Sequence, residues 1–445
     1  MGWTSRLTVT TRKGWSAFGA AVRTLGFSSP SLPIGALAVA LPVYLPHYYA
    51  SHLGLSLAMV GVAFAAVRLF DIPLDPLIGL VIDRTHTRFG RYRLWMAAGL
   101  PVFMLAIHQL FVPPAHEGYA YLVGWLLAYY VGLSMILLAH LSWAARIAPD
   151  YHARSRLFGW IQILGVAGAF TMPLASNLTV MGWLLIALAP LGVAAALATT
   201  REPITAAGSE VHLRLADYWE AISRPDLRRI IAADFCLQMG PNWMAALYLF
   251  YFHDLRGFSA AQSNLLLLIY IASGLVGALV VSRLATVFGK HKTLMAATTG
   301  YSLGLIGLSL LPRANFAAAA PFMGAMGFLA TSFVLLDRAM VADVGDAVWL
   351  ETGHQRTGLL YAILTSSQKL AGALSIGLTF AVLGWLGYDA REGAVNTAAA
   401  IHGLGWTFLL GPVIFVMLGG GCYIGYTLDA RRHGDIRAAL EAREG

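Results

Sequence analysis

Charge is scarce in this 445-residue chain: Asp, Glu, Lys and Arg together make up 12% of it, against about 25% in an ordinary soluble domain. That excludes a water-exposed globule, whose surface could not be covered. Cysteine is nearly absent. Cys236 and Cys422 both lie inside apolar blocks, which excludes a disulfide framework and a cysteine metal site and makes both small packing side chains. The first 23 residues lack a signal-peptide core, being broken by Arg6, Arg12 and Lys13, and read as a short cytoplasmic tail. A nucleophile–base arrangement and a P-loop are missing as well, so the chain is not expected to be an enzyme.

Apolar sequence fills the space that charge leaves. Apolar residues make up 58% of the chain, and mean hydropathy is +0.67. They fall into blocks at 28–51, 57–82, 94–112, 118–147, 157–177, 179–199, 228–253, 262–287, 293–312, 316–342, 358–386 and 400–427. Each is long enough to span a bilayer, which takes about 20 residues. Their Leu, Ala and Gly content without alternation excludes a membrane barrel. The predicted fold is therefore an all-α membrane protein with twelve transmembrane helices.

Net charge is +8 and the pI about 9.5. The basic residues lie between apolar blocks, so they orient the chain in a membrane and do not suggest nucleic acid. One set of loops holds Arg84, Arg88, Arg91 and Arg93, then Arg146, Arg154 and Arg156, the central arginines 201 to 229, then Arg283, Lys290, Lys292 and Arg356. The opposite loops hold Arg256, Arg313 and Arg391. Both termini are predicted to be cytoplasmic, in a multi-pass protein of a bacterial inner membrane.

The polar stretch 200–227 splits the blocks six and six. The expected domains are an N-terminal six-helix bundle (1–200), a cytoplasmic linker (201–227), a C-terminal six-helix bundle (228–428) and a charged, solvated tail (429–445). Leu213 to Ile222 of the linker reads as an amphipathic surface helix. A repeat relates the halves: Phe89-Gly90-Arg91-Tyr92-Arg93 follows the second block, and Phe288-Gly289-Lys290-His291-Lys292 follows the eighth. Two related six-helix halves are the architecture of alternating-access transporters of the major facilitator type.

Ionisable residues inside the spans are the most informative. Each costs about 2.5–3.5 kcal/mol at a helix centre and needs a partner or a wet cavity. The second block carries Arg68, Asp71 and Asp75, whose spacing puts them on one helical face. Carboxylates one turn apart make an oxygen cage for a small hard cation, or a proton carrier through mutual repulsion. An Arg68–Asp71 pair that only ties helices together is the alternative. Pro73 and Pro76 loosen this helix. The eleventh block carries Lys369, with Thr365 one turn before it and Gln368 beside it. A buried lysine needs a counter-ion, and Asp71 and Asp75 are the candidates. A lysine competing with a cation for them would couple two binding events. Snorkelling to an interface is the alternative.

In the tenth block Asp337 and Arg338 either contact solute or pair locally. Asp343 and Asp346 are expected to cap the end of that helix and clasp Arg356. With Asp83, Arg84 and Arg91 of the first repeat, Asp343 and Arg356 make a candidate cytoplasmic gate. Asp234 reads as an interfacial residue of the seventh block. His140, near Trp143, is the histidine singled out for solute contact. Trp143 and Tyr361 either line a cavity or are core aromatics.

Arg68-Leu69-Phe70-Asp71-Ile72-Pro73-Leu74-Asp75-Pro76, followed by Asp83-Arg84-Thr85, resembles the glycoside–pentoside–hexuronide:cation symporter family of the major facilitator superfamily (melibiose permease-like). Asp343-Val344-Gly345-Asp346, Arg356-Thr357-Gly358 and Lys369 extend the resemblance over nearly the whole chain. It implies symport of a sugar or sugar-derived solute with Na+ or H+, with Asp71 and Asp75 as cation carboxylates, Lys369 as coupling lysine and Thr365 at the substrate site. Beyond a sodium ion at Asp71 and Asp75, no metal or cofactor is expected, and no partner besides solute and bilayer; the chain is expected to be a monomer. The first block lacks the acid of the family's galactoside site, Leu137 stands where a third carboxylate is expected, and Gln162 where a sugar-binding arginine is expected. Arg338 can replace that arginine from another helix, which suits an anionic solute. Vertebrate lysophospholipid symporters look similar at the two Asp and the Lys, so a lipid-like solute is the alternative.

Overall fold

The structure is a computed structural model that describes residues 22–115, 117–147, 151–202, 215–353 and 357–444. The regular structure among them is helical. Twelve long helices follow in order: α1 (Val22–Ser51), α2 (Leu57–Arg84), α3 (Arg91–Phe111), α4 (Tyr119–Ile147), α5 (Tyr151–Leu174), α6 (Leu178–Thr199), α7 (Pro225–Leu249), α8 (Ala260–Phe288), α9 (Lys290–Leu310), α10 (Phe316–Thr352), α11 (Thr357–Trp385) and α12 (Ala398–Gly421). Hydrocarbon offers the backbone no partner, so apolar runs of this length satisfy their own N–H and C=O groups as helices. Ten of the twelve are long and apolar enough to cross a membrane. The other two, α7 and α11, carry Asp234, Gln238 and Asn242, and Thr365, Gln368 and Lys369.

Local chemistry sets the boundaries. The expected turn between α5 and α6 is an N-cap, in which the Asn177 side chain accepts from the Val180 N–H at 2.9 Å. Ser259 and Gln262 form a reciprocal capping box on α8, and Thr397 caps α12. The repeated Phe-Gly-basic motif has one backbone geometry in both halves. Gly90 and Gly289 immediately precede α3 and α9 with φ of 91° and 89°, a region that glycine alone enters freely. Helix α10 runs to Thr352, past the expected end at 342. Asp343 and Asp346 are therefore inside a helix and do not cap its end. The helix stops at Gly353, in the left-handed conformation with φ of 72°.

The chain divides into two compact units, Met1–Leu41 with Pro73–Gly208, and Pro42–Ile72 with Ser209–Gly445. The sequence grouped residues 1–200 together; in the structure 42–72 belong with the second unit. The reason is close packing of the first half of α2 on α11: a Cβ at Gly61 would lie 3.3 Å from the Gly377 carbonyl oxygen, and one at Gly377 would lie 3.1 Å from Ala65 Cβ. The chain crosses between units at Pro42, inside a π-helical turn of α1 (Ala40–Tyr44), and at Pro73 in α2.

Within the first unit α3 lies along α4, and the start of α1 along α5. Small residues permit the approach. A Cβ at Gly35 would fall 1.8 Å from the Gly165 carbonyl oxygen, and one at Gly168 would fall 1.9 Å from that of Leu32. In the second unit α8 lies along α10. There a Cβ at Gly277 or Gly327 would fall 2.2 or 2.0 Å from a facing carbonyl oxygen. Leu174, Leu279, Val287 and Leu310 are at least 70% exposed, an apolar outside suited to lipid.

A short helix in the linker, Leu215–Ser223, packs on α7 and α11; it buries Ala221 and leaves Trp219 exposed. The tail helix, Ala430–Glu444, packs on α10 and is not simply solvated as expected. His433 Nε2 lies 3.0 Å from Asp346 Oδ2 and 3.5 Å from Asp343 Oδ1.

Candidate functional site

In the second unit α2 and α11 run antiparallel from their Gly61–Gly377 contact. Counting about three turns along α2 and two along α11 reaches Asp71 and Lys369. Asp71 is 1% exposed. Lys369 Nζ donates to its Oδ2 at 2.7 Å, and Arg68 Nη1 donates to the same oxygen at 3.3 Å. One buried carboxylate thus holds two cations, on side chains that are 14% and 27% exposed. A lysine inside a span found the counter-ion that its burial requires, and did not snorkel.

Asp75 is one turn further along α2, past the division between units. In the first unit the Ser134 hydroxyl of α4 donates to its Oδ1 at 2.6 Å. Sequence reasoning missed Ser134, whose small hydroxyl in an apolar helix carries no periodic signal.

The candidate solute residues separate. His140 and Trp143 are 0% exposed in the core of the first unit. His140 Nε2 lies 2.8 Å from the Phe27 carbonyl oxygen, and Trp143 meets the Phe27 ring edge-on at 5.1 Å. Both are packing residues, which corrects their assignment to solute. Gln162 is exposed on α5. In the second unit Arg338 and Thr365 are exposed. The Tyr361 hydroxyl donates to the Arg338 carbonyl at 2.9 Å, and Thr365 to that of Tyr361, also at 2.9 Å. Tyr361, Thr365 and Lys369 follow at four-residue steps along one face of α11. Asp337 points elsewhere: it is 0% exposed and accepts from Tyr423. The adjacent Asp337 and Arg338 therefore do not pair. Asp234, expected at an interface, is also 0% exposed and accepts from the Gln368 amide at 2.9 Å.

The candidate gate residues sit around the repeated loops. Arg91 Nη1 donates to the Asp83 carboxylate at 3.4 Å and to its carbonyl at 3.2 Å, while Arg84 is exposed. Glu202 was missed, lying in the polar linker where nothing marks it. Its carboxylate accepts the backbone N–H groups of Arg91, Tyr92 and Arg93 at 3.0–3.3 Å, the preferred place for an anion at a helix N-terminus. In the second unit Lys290, the counterpart of Arg91, donates to both oxygens of Asp343 at 2.7 and 2.6 Å. Asp343 thus has its cation without Arg356, which lies outside the described residues.

The sequence matches the MFS/sugar transport protein family over residues 26–430. The chain belongs to that family. As a member it is a multi-pass transporter of the bacterial inner membrane and not an enzyme. The isoprimeverose transporter of Lactiplantibacillus pentosus is 24% identical to it, over 87% of this chain and 84% of that protein. The glucuronide carrier protein homolog of Escherichia coli (strain K12) is also 24% identical, over 90% and 91%. Among solved structures, the nucleoside transporter NupG matches with a TM-score of 0.68 at 12% identity, covering 92% of this chain and 98% of that one. A bacterial homolog of the human lysosomal transporter Spinster matches at 0.66 and 14%, covering 96% and 98%. These likenesses establish the major facilitator fold for this family member.

Proposed function

We propose that the protein is a symporter, working as a monomer without cofactor, that moves a sugar-derived anionic solute with Na+ or H+ by alternating access. The observation that carries this reading is the buried Asp71 carboxylate, whose single oxygen Oδ2 holds both Lys369 and Arg68. A proton or a sodium ion at the Asp71 carboxylate competes with the Lys369 ammonium for the same lone pairs. Binding the ion frees the lysine, and release of the ion recaptures it. Two events that bias one conformational equilibrium are thereby linked.

The solute class rests on a second observation. Arg338 offers an exposed guanidinium next to Tyr361, and Tyr361 and Thr365 share a face of α11 with Lys369. A guanidinium recognises a carboxylate by two parallel hydrogen bonds, and the two hydroxyl oxygens, whose protons go to backbone carbonyls, are left to accept from the hydroxyls of a sugar ring. Relatives that carry isoprimeverose and a glucuronide by name support a sugar, and the lipid-like alternative is not favoured.

Uptake into proteoliposomes tests the proposal, with labelled glucuronides and neutral xylosides and with sodium and proton gradients imposed separately. Gradient-driven accumulation of a sugar by the wild type, and equilibration without accumulation by Lys369→Ala, is the expected result. Uphill accumulation by Lys369→Ala would refute the coupling role. A sodium-driven component abolished by Asp75→Asn identifies sodium as the ion; accumulation driven by pH alone identifies the proton.

A further inference from the structure

Two carboxylates of the second unit take no part in the Asp71 arrangement. Asp234 on α7 and Asp337 on α10 are both 0% exposed. The groups that hold them are neutral: the Gln368 amide donates to Asp234 Oδ1 at 2.9 Å, and the Tyr423 hydroxyl donates to Asp337 Oδ1 at 2.5 Å. In each the other oxygen, Oδ2, is buried without a hydrogen-bond partner. Gln238 of α7, Ser367 of α11 and, further off, the Arg338 guanidinium surround Asp234. Around Asp337 stand Asp234, Tyr423, Cys422 and Tyr426, with Arg229 beyond Cys422. No cation closes either carboxylate into an ion pair among the described residues.

A buried carboxylate without a counter-ion is costly to ionise, and a second one nearby adds repulsion. A proton on each orphaned oxygen removes both penalties and turns an unsatisfied acceptor into a neutral acid. We propose that Asp234 and Asp337 form a proton-binding pair, separate from the carboxylates of α2, whose occupancy reaches the coupling lysine through Gln368. Gln368 and Lys369 are consecutive on α11: one holds Asp234, the other Asp71. Protons are exchanged with water, and no other bond is made or broken. A change of charge at Asp234 alters the pull on the Gln368 amide and, through the shared backbone, the seat of Lys369. That link rests on the proposed function; the proton pair itself does not.

Infrared difference spectroscopy of the full-length protein in lipid, taken from mildly acid to mildly alkaline pH, tests the pair without any solute. A carboxylic-acid C=O band that disappears as pH rises is expected, with part of it missing in Asp234→Asn and part in Asp337→Asn. Tyr423→Phe, which disturbs folding less, should move the Asp337 component to higher wavenumber, because its carbonyl loses a hydrogen bond. Gln368→Ala should do the same to the Asp234 component. A band that is absent, that ignores all four substitutions, or that persists unchanged across the pH range overturns the proposal. A titrating band in a protein that accumulates no sugar would uphold the pair and remove the symport reading instead.

Discussion

Asp71 serves two cations with one oxygen, and the consequences differ by partner. In Asp71→Asn the Lys369 ammonium loses its 2.7 Å ion pair with this carboxylate. Breaking a buried pair from one side costs about 3–5 kcal/mol, and Lys369, with 14% of its side chain exposed, belongs at the lower end of that range. A drop in thermal unfolding temperature is the expected outcome, and Asp71→Asn combined with Lys369→Met should recover most of it. Arg338→Ala should weaken uptake of a glucuronide by about tenfold or more, the worth of a charged hydrogen bond, and leave a neutral xyloside unaffected. Equal losses for both solutes would remove Arg338 from solute recognition. The Asp71–Lys369 pair was legible in the sequence because a charge inside an apolar block has few explanations. His140 and Trp143 were not. They sit on α4, whose mean composition is apolar around its whole circumference, so no periodicity says which face turns inward. Asp234 was misread because position along a block says nothing about the neighbour that buries it.

The repeated loop is the clearest case at the level of elements. The motif Phe-Gly-basic fixed where α3 and α9 begin, and the shared positive φ of Gly90 and Gly289 explains why glycine stands there twice. Gly289→Ala should cost about 1–3 kcal/mol from backbone strain alone. Gly90→Ala should cost more, since its Cβ would also fall 2.2 Å from a Glu202 oxygen. Gly372→Ala is the control: a Cβ there meets nothing within 4 Å, so unfolding temperature should hold or rise. At the other end of the chain, Asp429 accepts the backbone N–H of Arg432 at 2.9 Å, and this bond holds its carboxyl below the usual range. A depressed folded value means the cap contributes fully above the ordinary carboxylate pKa of about 3.9 and is lost only as pH falls through the lower folded one. A spin label on the tail helix should therefore stay ordered through mildly acid pH and loosen below about 3.9. Loosening at neutral pH would contradict the cap. Docking of that helix on α10 could not be read beforehand, because its charged surface looks the same in water as against Asp343 and Asp346.

For the whole molecule, twelve spans and the loop asymmetry were available before any coordinates. A fluorescent reporter fused at the C-terminus should be active in cytoplasm, and an alkaline phosphatase inserted in the loop at Gly393 should be active outside it; the reverse pattern would invert the topology. What composition could not convey was the regrouping of 42–72, since α1, α2 and α11 draw on the same apolar alphabet. Pro42 and Pro73 mark the crossings, but proline occurs inside six other of these helices as well, so its presence alone selects none.

That regrouping makes the chain harder to separate than its six-and-six layout suggests. A polypeptide severed between Gly208 and Ser209 and expressed as two pieces would still be stitched together, because the first piece keeps a hairpin whose partners, Phe250, Asn264, Lys369, Gly377 and Glu392 among them, belong to the second. The pieces should co-purify when only one carries an affinity handle, and deleting residues 42–72 from the first should let them part.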